Sequence, residues 1–302
     1  MQIGFVSAIL GELSLEEVLA YAADEGFGAV ELMCWPRGTA DRRYAGVTHL
    51  DVSHFTPEQA HHVRDLSRIH GVRISGLGYY PNPLDPDPEH RQQVVEHLKK
   101  VIRAAPQIGV SVVNTFIGRD WRKSVPENLD LVREVWPGIM KEAEQANVRI
   151  GIEHCPMLFS HDEWPGGKNL AISPAIWREL FAMFPGGRLG LNIDPSHLIW
   201  QFIDTPRAVR EFGPHIVHVH AKDERIDHEK LHQVGIMGLG WHQPKLPGLG
   251  DVAWGPFFAA LTDTGYDGPV CIEVEDRAYE RSLDDRKRAL RQSKKFLEQF
   301  MG

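Results

Sequence analysis

The chain has 302 residues, 42% hydrophobic and 25% charged, a globular composition at the upper size limit for one hydrophobic core. Thirty-three basic against 41 acidic residues leave a net charge of −8, which argues against electrostatic capture of nucleic acid. No apolar run reaches the roughly 18–20 residues of a membrane span, Met1-Gln2-Ile3-Gly4-Phe5 lacks a signal peptide's basic region, and Cys34, Cys155 and Cys271 have no CxxC spacing. The expectation is a reduced, cytoplasmic protein without disulfides or a zinc ribbon.

Strand and helix patterns alternate along the whole chain. A strand at 2–6 precedes a helix at 15–25, and a strand at 29–34 precedes a helix at 57–70. The same order repeats with strands at 72–76, 110–116, 148–153 and 189–194 and helices at 89–108, 129–146, 174–183 and 206–212. Strands at 216–220 and 270–274, with helices at 254–264 and 283–300, complete the pattern. Caps are readable at Ser14 with Glu17, Thr56-Pro57 and Ser173-Pro174. Gly26, Gly71, Gly109 and Gly265 stop helices just before the next strand.

Eight such units predict a (β/α)8 TIM barrel forming a single domain over residues 1–302. A doubly wound sheet is the weaker fit, because no strand is followed by G-x-G-x-x-G and no Walker loop occurs. Two connections are unusual. Residues 79–89 (YYPNPLDPDPE) are too proline-rich for a helix. Residues 223–252, rich in Gly and Pro and carrying Trp241 and His242 beside Trp254, read as a lid loop over the site.

Four late strands each end in a metal-binding residue: Glu153 in RIGIEHCPM, Asp194 in GLNIDPSH, His220 in HIVHVHAKD and Glu273 in VCIEVED. Strand alternation groups Gly151 with Glu153, Asn192 with Asp194, Ile216 and His218 with His220, and Cys271 with Glu273. The opposite, apolar faces suit the helix layer, so this set points into the barrel mouth. Three carboxylates there repel unless a cation or protons compensate them. Three carboxylates and one imidazole suit one divalent ion: Mn²⁺ or Mg²⁺ best, with Co²⁺ or Zn²⁺ also accommodated.

The segments GIEHCPM, GLNIDPSHL, HVHAKD and PGLGDVAW…GYDGPVCIEVED resemble motifs of the xylose-isomerase-like TIM-barrel superfamily, in its sugar phosphate isomerase/epimerase branch. The resemblance implies one metal held by Glu153, Asp194, His220 and Glu273. It also implies that Glu153 and Glu273 move protons on opposite faces of a keto-sugar. His197 falls in the DxxH pattern where related epimerases place a substrate-contacting histidine. Ketose epimerases carry an arginine six residues after the metal histidine; here Arg225 stands one position off, and the HxKD form is more similar to inosose dehydratase and isomerase relatives and to enzymes of 3-keto-glycosides.

From the residues themselves, Lys222 is placed to bind a sugar hydroxyl or an enolate oxygen, and Trp35 to form a stacking wall. Glu31 and Asn114 are candidates to reach the mouth as substrate contacts, and Arg225 and His154 are further candidates for substrate binding. Alternation turns His154 away, unless a bulge at Pro156 re-aims it as a base. His218 and Glu275 read as structural groups inside the barrel.

The expected activity is a metal-dependent isomerase or epimerase of a keto-sugar or cyclitol, of inosose or 3-keto-sugar type, working through a metal-stabilised enediolate. The alternative is a lyase on the same scaffold, dehydrating an inosose or eliminating from a 3-keto-glycoside. A nuclease like endonuclease IV needs three metals, whereas Gln233 and Gly235 stand where its Asp-x-His pair belongs and the strand-4 segment lacks a histidine. The expected partner is a small sugar or cyclitol, with neither nucleic acid nor membrane, and a homodimer is the prior for such barrels.

Overall fold

The computed structural model describes residues 1–38, 44–158 and 167–301. Its strands are β1 (Gln2–Val6), β2 (Ala29–Met33), β3 (Arg73–Gly78), β4 (Val112–Thr115), β5 (Arg149–Glu153), β6 (Leu189–Ile193), β7 (Ile216–Ala221), β8 (Asp223–Ile226), β9 (His242–Lys245) and β10 (Pro269–Ile272). Eight of them close into a parallel barrel in the order β1-β10-β7-β6-β5-β4-β3-β2, and β8 and β9 form a separate antiparallel pair. The architecture is a (β/α)8 TIM barrel.

Eight helices follow the barrel strands: α1 (Leu15–Asp24), α2 (Pro57–His70), α3 (Pro88–Ala104), α4 (Val125–Gln145), α5 (Pro174–Met183), α7 (Thr205–Phe212), α9 (Trp254–Asp263) and α10 (Leu283–Leu297). A short α6 (Ser196–Ile199) sits between β6 and α7, and α8 (His228–Val234) lies between β8 and β9. Local chemistry sets the ends. Ser14, Thr56 and Ser124 form capping boxes with Glu17, Gln59 and Glu127. Gly71 and Gly109 close their helices at φ 64° and 76°, where a side chain would be strained. Ser173, read as a cap, makes no side-chain capping bond.

The main core lies between barrel and helices, with Trp136, Trp177, Phe257, Leu19 and Leu98 fully buried. Each such side chain contributes about 1.5–3 kcal/mol by leaving water. Inside the barrel the filling is polar: Ser75, Asn114, Asn192 and His218 are all buried there. Gly151 leaves the space that Asn114 fills, since a Cβ at Gly151 would lie 2.2 Å from Asn114 Oδ1.

One facing prediction fails. The β6–β7 register jumps from Leu191↔Ile216 to Asn192↔His218, so Val217 is an extra residue in a bulge. Ile216 joins the helix-facing core, while Val217 packs toward Gly151 and Gly190 with the inward set. His218 and His220 keep the inward direction. Among the described residues no helix is long and apolar enough to cross a membrane.

Residues 223–252 are more ordered than a loop: they hold β8, α8 and β9. Asp223 anchors the whole excursion. Its Oδ1 accepts from the N–H groups of Glu224 and Val252 at 2.9 Å each, and its Oδ2 accepts from Gly248 N–H and Trp254 Nε1, both at 2.8 Å. Asp223→Ala strands these donors, and urea unfolding is expected to show a loss of about 2–4 kcal/mol.

Candidate active site

Four donor side chains reach the C-terminal rim from adjacent strands. Glu153 ends β5 and His220 is next to last in β7, while Asp194 and Glu273 directly follow β6 and β10. One ligand atom from each lies within 4.8 Å of all the others. Donor atoms that close could together hold one divalent ion.

His220 is oriented for that centre from below. Its Nε2 lies 2.7 Å from Glu31 Oε2, and Tyr80 donates its hydroxyl to the other Glu31 oxygen. A carboxylate only accepts, so Nε2 carries a proton toward Glu31. Burial disfavours charge on the ring, but Glu31, Glu153 and Glu273 hold it well above the ordinary histidine range, so a cation bound at Nδ1 would displace a proton. Nδ1 is buried without a hydrogen-bond partner among the described residues, 3.9 Å from Glu153 Oε1 and 3.8 Å from Glu273 Oε2. Asp194 Oδ2 likewise lacks a hydrogen bond, although the Lys222 ammonium stands 3.3 Å away. An imidazole nitrogen without a hydrogen-bond partner, facing oxygen donors, is where a divalent cation would take the place of a proton, so the residues fit such an ion.

Charge dominates the site. Burial alone would raise Glu153, but the hydrogen bond from His197 and the nearby His220 hold it well below the usual carboxylate range. Burial pushes Glu273 up to about 7, with Glu275 and Glu153 adding to the effect and Lys222 opposing it. Lys222 is 2% exposed, and its ammonium donates to Glu273 Oε2 at 2.5 Å and Glu275 Oε2 at 2.9 Å. Burial disfavours its charge, yet Glu273, Glu275 and Asp194 keep it protonated well above the ordinary lysine range. His197 Nε2 lies 3.2 Å from Glu153 Oε1 and 3.5 Å from Asp194 Oδ2.

Above this floor opens a cavity of about 940 Å³, within the range of small-molecule sites. Its walls include Trp35, Tyr80, Phe116, Trp200, Lys222 and His242. Trp35 packs edge-on against Tyr79 at 5.0 Å and faces the cavity.

Three residues assigned to substrate contact lie elsewhere. Arg225 is exposed on β8 and pairs with Gln243, because strand alternation sends its neighbour Glu224 to the cavity instead. Asn114 is in register with Gly151, one inward layer below Glu153, and sits under the mouth against Gly76 and Gly151. His154 lies behind the centre, its Nε2 accepting the Asp194 N–H at 3.0 Å and its ring against Trp177 at 5.2 Å. Burial drives its pKa down to about 3, so it is neutral and no bulge re-aims it.

Glu31 does not reach the mouth either but orients His220. Glu275, read as an inner group, lines the cavity and holds Lys222. Tyr80, Glu224 and His242 were not singled out for chemistry. The proline-rich run 79–89 could have flagged Tyr80, while the other two depend on a hairpin whose pairing has no strong local signal.

Comparison with known proteins agrees with this geometry. The family model "Xylose isomerase-like TIM barrel" matches residues 19–300. The uncharacterised protein YfiH of Bacillus subtilis is 26% identical over 310 residues, covering 91% of this chain and 93% of its own. An inosose dehydratase of Clostridium perfringens is 28% identical over 89 residues, which is 28% of this chain and 30% of that protein. Among solved structures, D-psicose 3-epimerase with D-tagatose from Clostridium cellulolyticum superposes with a TM-score of 0.69 at 16% identity, covering 100% of this chain and 99% of that one. The 3-keto-D-glucoside 4-epimerase YcjR of E. coli gives 0.70 at 16%, with 99% of each chain covered. The IolI protein with a bound zinc atom gives 0.70 at 16%, covering 99% and 98%. At these identities the structural likeness establishes the fold.

Titration calorimetry with Mn²⁺ or Zn²⁺ is expected to reveal one site per chain. Glu31→Gln should weaken it about 10–100-fold by releasing the His220 ring. Affinity should also fall as pH drops through about 7, where Glu273 takes up a competing proton.

Proposed function

Because the chain belongs to the xylose isomerase-like TIM barrel family, we propose that it is a divalent-metal-dependent isomerase or epimerase of a keto-sugar or cyclitol, of inosose or 3-keto-sugar type. The observation that carries this reading is the convergence of Glu153, Asp194, His220 and Glu273 on one point at the floor of the cavity. Known relatives by fold include epimerases of D-psicose and of a 3-keto-D-glucoside, which supports a small carbohydrate substrate.

Glu153, Asp194, His220 and Glu273 would hold a divalent ion there, and it would supply the Lewis acidity that acidifies the C–H beside a carbonyl. The oxygen-rich donor set suits Mn²⁺ first, and the zinc of IolI is the precedent for a softer ion. Glu153, ionised and braced by His197, takes the C–H proton. Glu273, steadied by Lys222, returns a proton: on the opposite face for an epimer, or at the neighbouring carbon for an aldose–ketose pair. Lys222 and His197 hold substrate oxygens, and Trp35 covers the apolar face of the ring. The aromatic walls keep bulk water from the exchanging proton.

The test is proton NMR in D₂O with metal-loaded protein and a panel of ketoses, inososes and 3-keto-glucosides. Deuterium should appear at the carbon beside the ketone, and Glu153→Gln should slow its entry about 10²–10⁴-fold. A panel without any deuterium uptake contradicts the proposal.

A further inference from the structure

We propose that His242, oriented by Glu224, is the general acid that the lyase alternative would need on this scaffold, protonating the departing oxygen of a β-elimination. The inference rests on the enolising function proposed above and extends it to substrates bearing an oxygen substituent one carbon beyond the lost proton.

The two residues form a dyad that the proton shuttle between Glu153 and Glu273 does not use. His242 Nδ1 lies 2.6 Å from Glu224 Oε1, and the Glu224 side chain is only 3% exposed. The carboxylate fixes the proton on Nδ1, so Nε2 is the nitrogen that exchanges protons. Among the described residues Nε2 makes no hydrogen bond, and both side chains line the cavity above the metal-binding quartet. The ring cannot swing freely. It stacks on Trp200 with centroids 4.4 Å apart and planes at 5°, and Trp241 meets it nearly edge-on at 4.9 Å.

Placement on the hairpin sets the dyad apart from the floor of the site. Glu224 lies two residues beyond Lys222, whose ammonium touches Glu273, roughly 6–7 Å further along extended chain. A substrate enolised at the floor would extend its β-substituent toward that wall. A buried carboxylate behind an imidazole is the pairing that generates a general acid–base group.

The step balances without a redox partner. The C–H bond breaks with its proton going to Glu153, and the electron pair forms the new C=C bond. The β C–O bond breaks, and its oxygen takes the Nε2 proton of the His242 imidazolium, protonated beforehand from water, and leaves as an alcohol. The imidazole keeps its Nδ1 proton toward Glu224 and is recharged from water.

The test compares methyl and 4-nitrophenyl 3-keto-β-glucosides with metal-loaded wild type, His242→Gln and Glu224→Gln. Nitrophenolate needs no proton to depart, whereas methanol does. His242→Gln should therefore cut methanol release about 10²-fold or more while nitrophenol release, deuterium exchange at C2 and divalent-ion affinity stay within a few-fold. Glu224→Gln should give a smaller loss with the same leaving-group dependence. Imidazole ¹⁵N NMR of the metal-free protein across pH should show that the neutral form of His242 is the Nδ1–H tautomer, so that the proton gained on acidification goes to Nε2. Equal loss for both leaving groups, no loss, an Nε2–H tautomer, or exchange at C2 without elimination in the wild type would overturn the inference. A wild type that fails to exchange C2 contradicts the enolising function itself.

Discussion

Unbalanced negative charge at the barrel mouth is the constraint around which the site is built. Glu153, Asp194, Glu273 and Glu275 gather there, with Glu31 beneath them, against Lys222, His197 and His220. Buried carboxylates are costly unless a cation or a proton accompanies each one. Glu31 is matched by His220, and Glu275 shares Lys222 with Glu273. Glu153 is held ionised by His197 and His220, whereas burial, with Glu275 and Glu153 nearby, keeps a proton on Glu273 up to about 7. A closed barrel tolerates this because its apolar core lies outside, beneath the helices. The strand ends are thereby free to carry polar groups.

Much of this was legible because strands impose a period of two. Reading inward and outward faces places Glu153, Asp194, His220 and Glu273 on one rim without any contact between them in sequence. The same rule failed at Ile216, where a bulge at Val217 adds one residue and reverses the parity upstream. It failed differently at Asn114, which faces inward but one layer too deep to meet a ligand. Facing is a local property; depth depends on register with neighbouring strands, which the sequence does not state.

The hairpin was the larger omission. Its strands run through 223–226 and 242–245, with a proline and several charges, a weak pattern for paired strands. Asp223 ties both ends down, and only then does alternation send Glu224 toward the cavity and Arg225 into solvent. An arginine expected at the substrate thus becomes a surface group, while an unremarked glutamate meets a histidine. The barrel strands carry the candidate metal-binding quartet, and the long excursion after β7 brings Glu224 and His242 to the cavity. Function in such folds is decided at the loops that cap the strands.

The central claim is that one divalent ion relieves the charge of the quartet. Anomalous diffraction from crystals grown with Mn²⁺ tests it most directly. The account predicts a single strong peak per chain bonded to Glu153, Asp194, Glu273 and the Nδ1 of His220. A quartet still empty at saturating Mn²⁺, with Lys222 clamped between Glu273 and Asp194 instead, would contradict it.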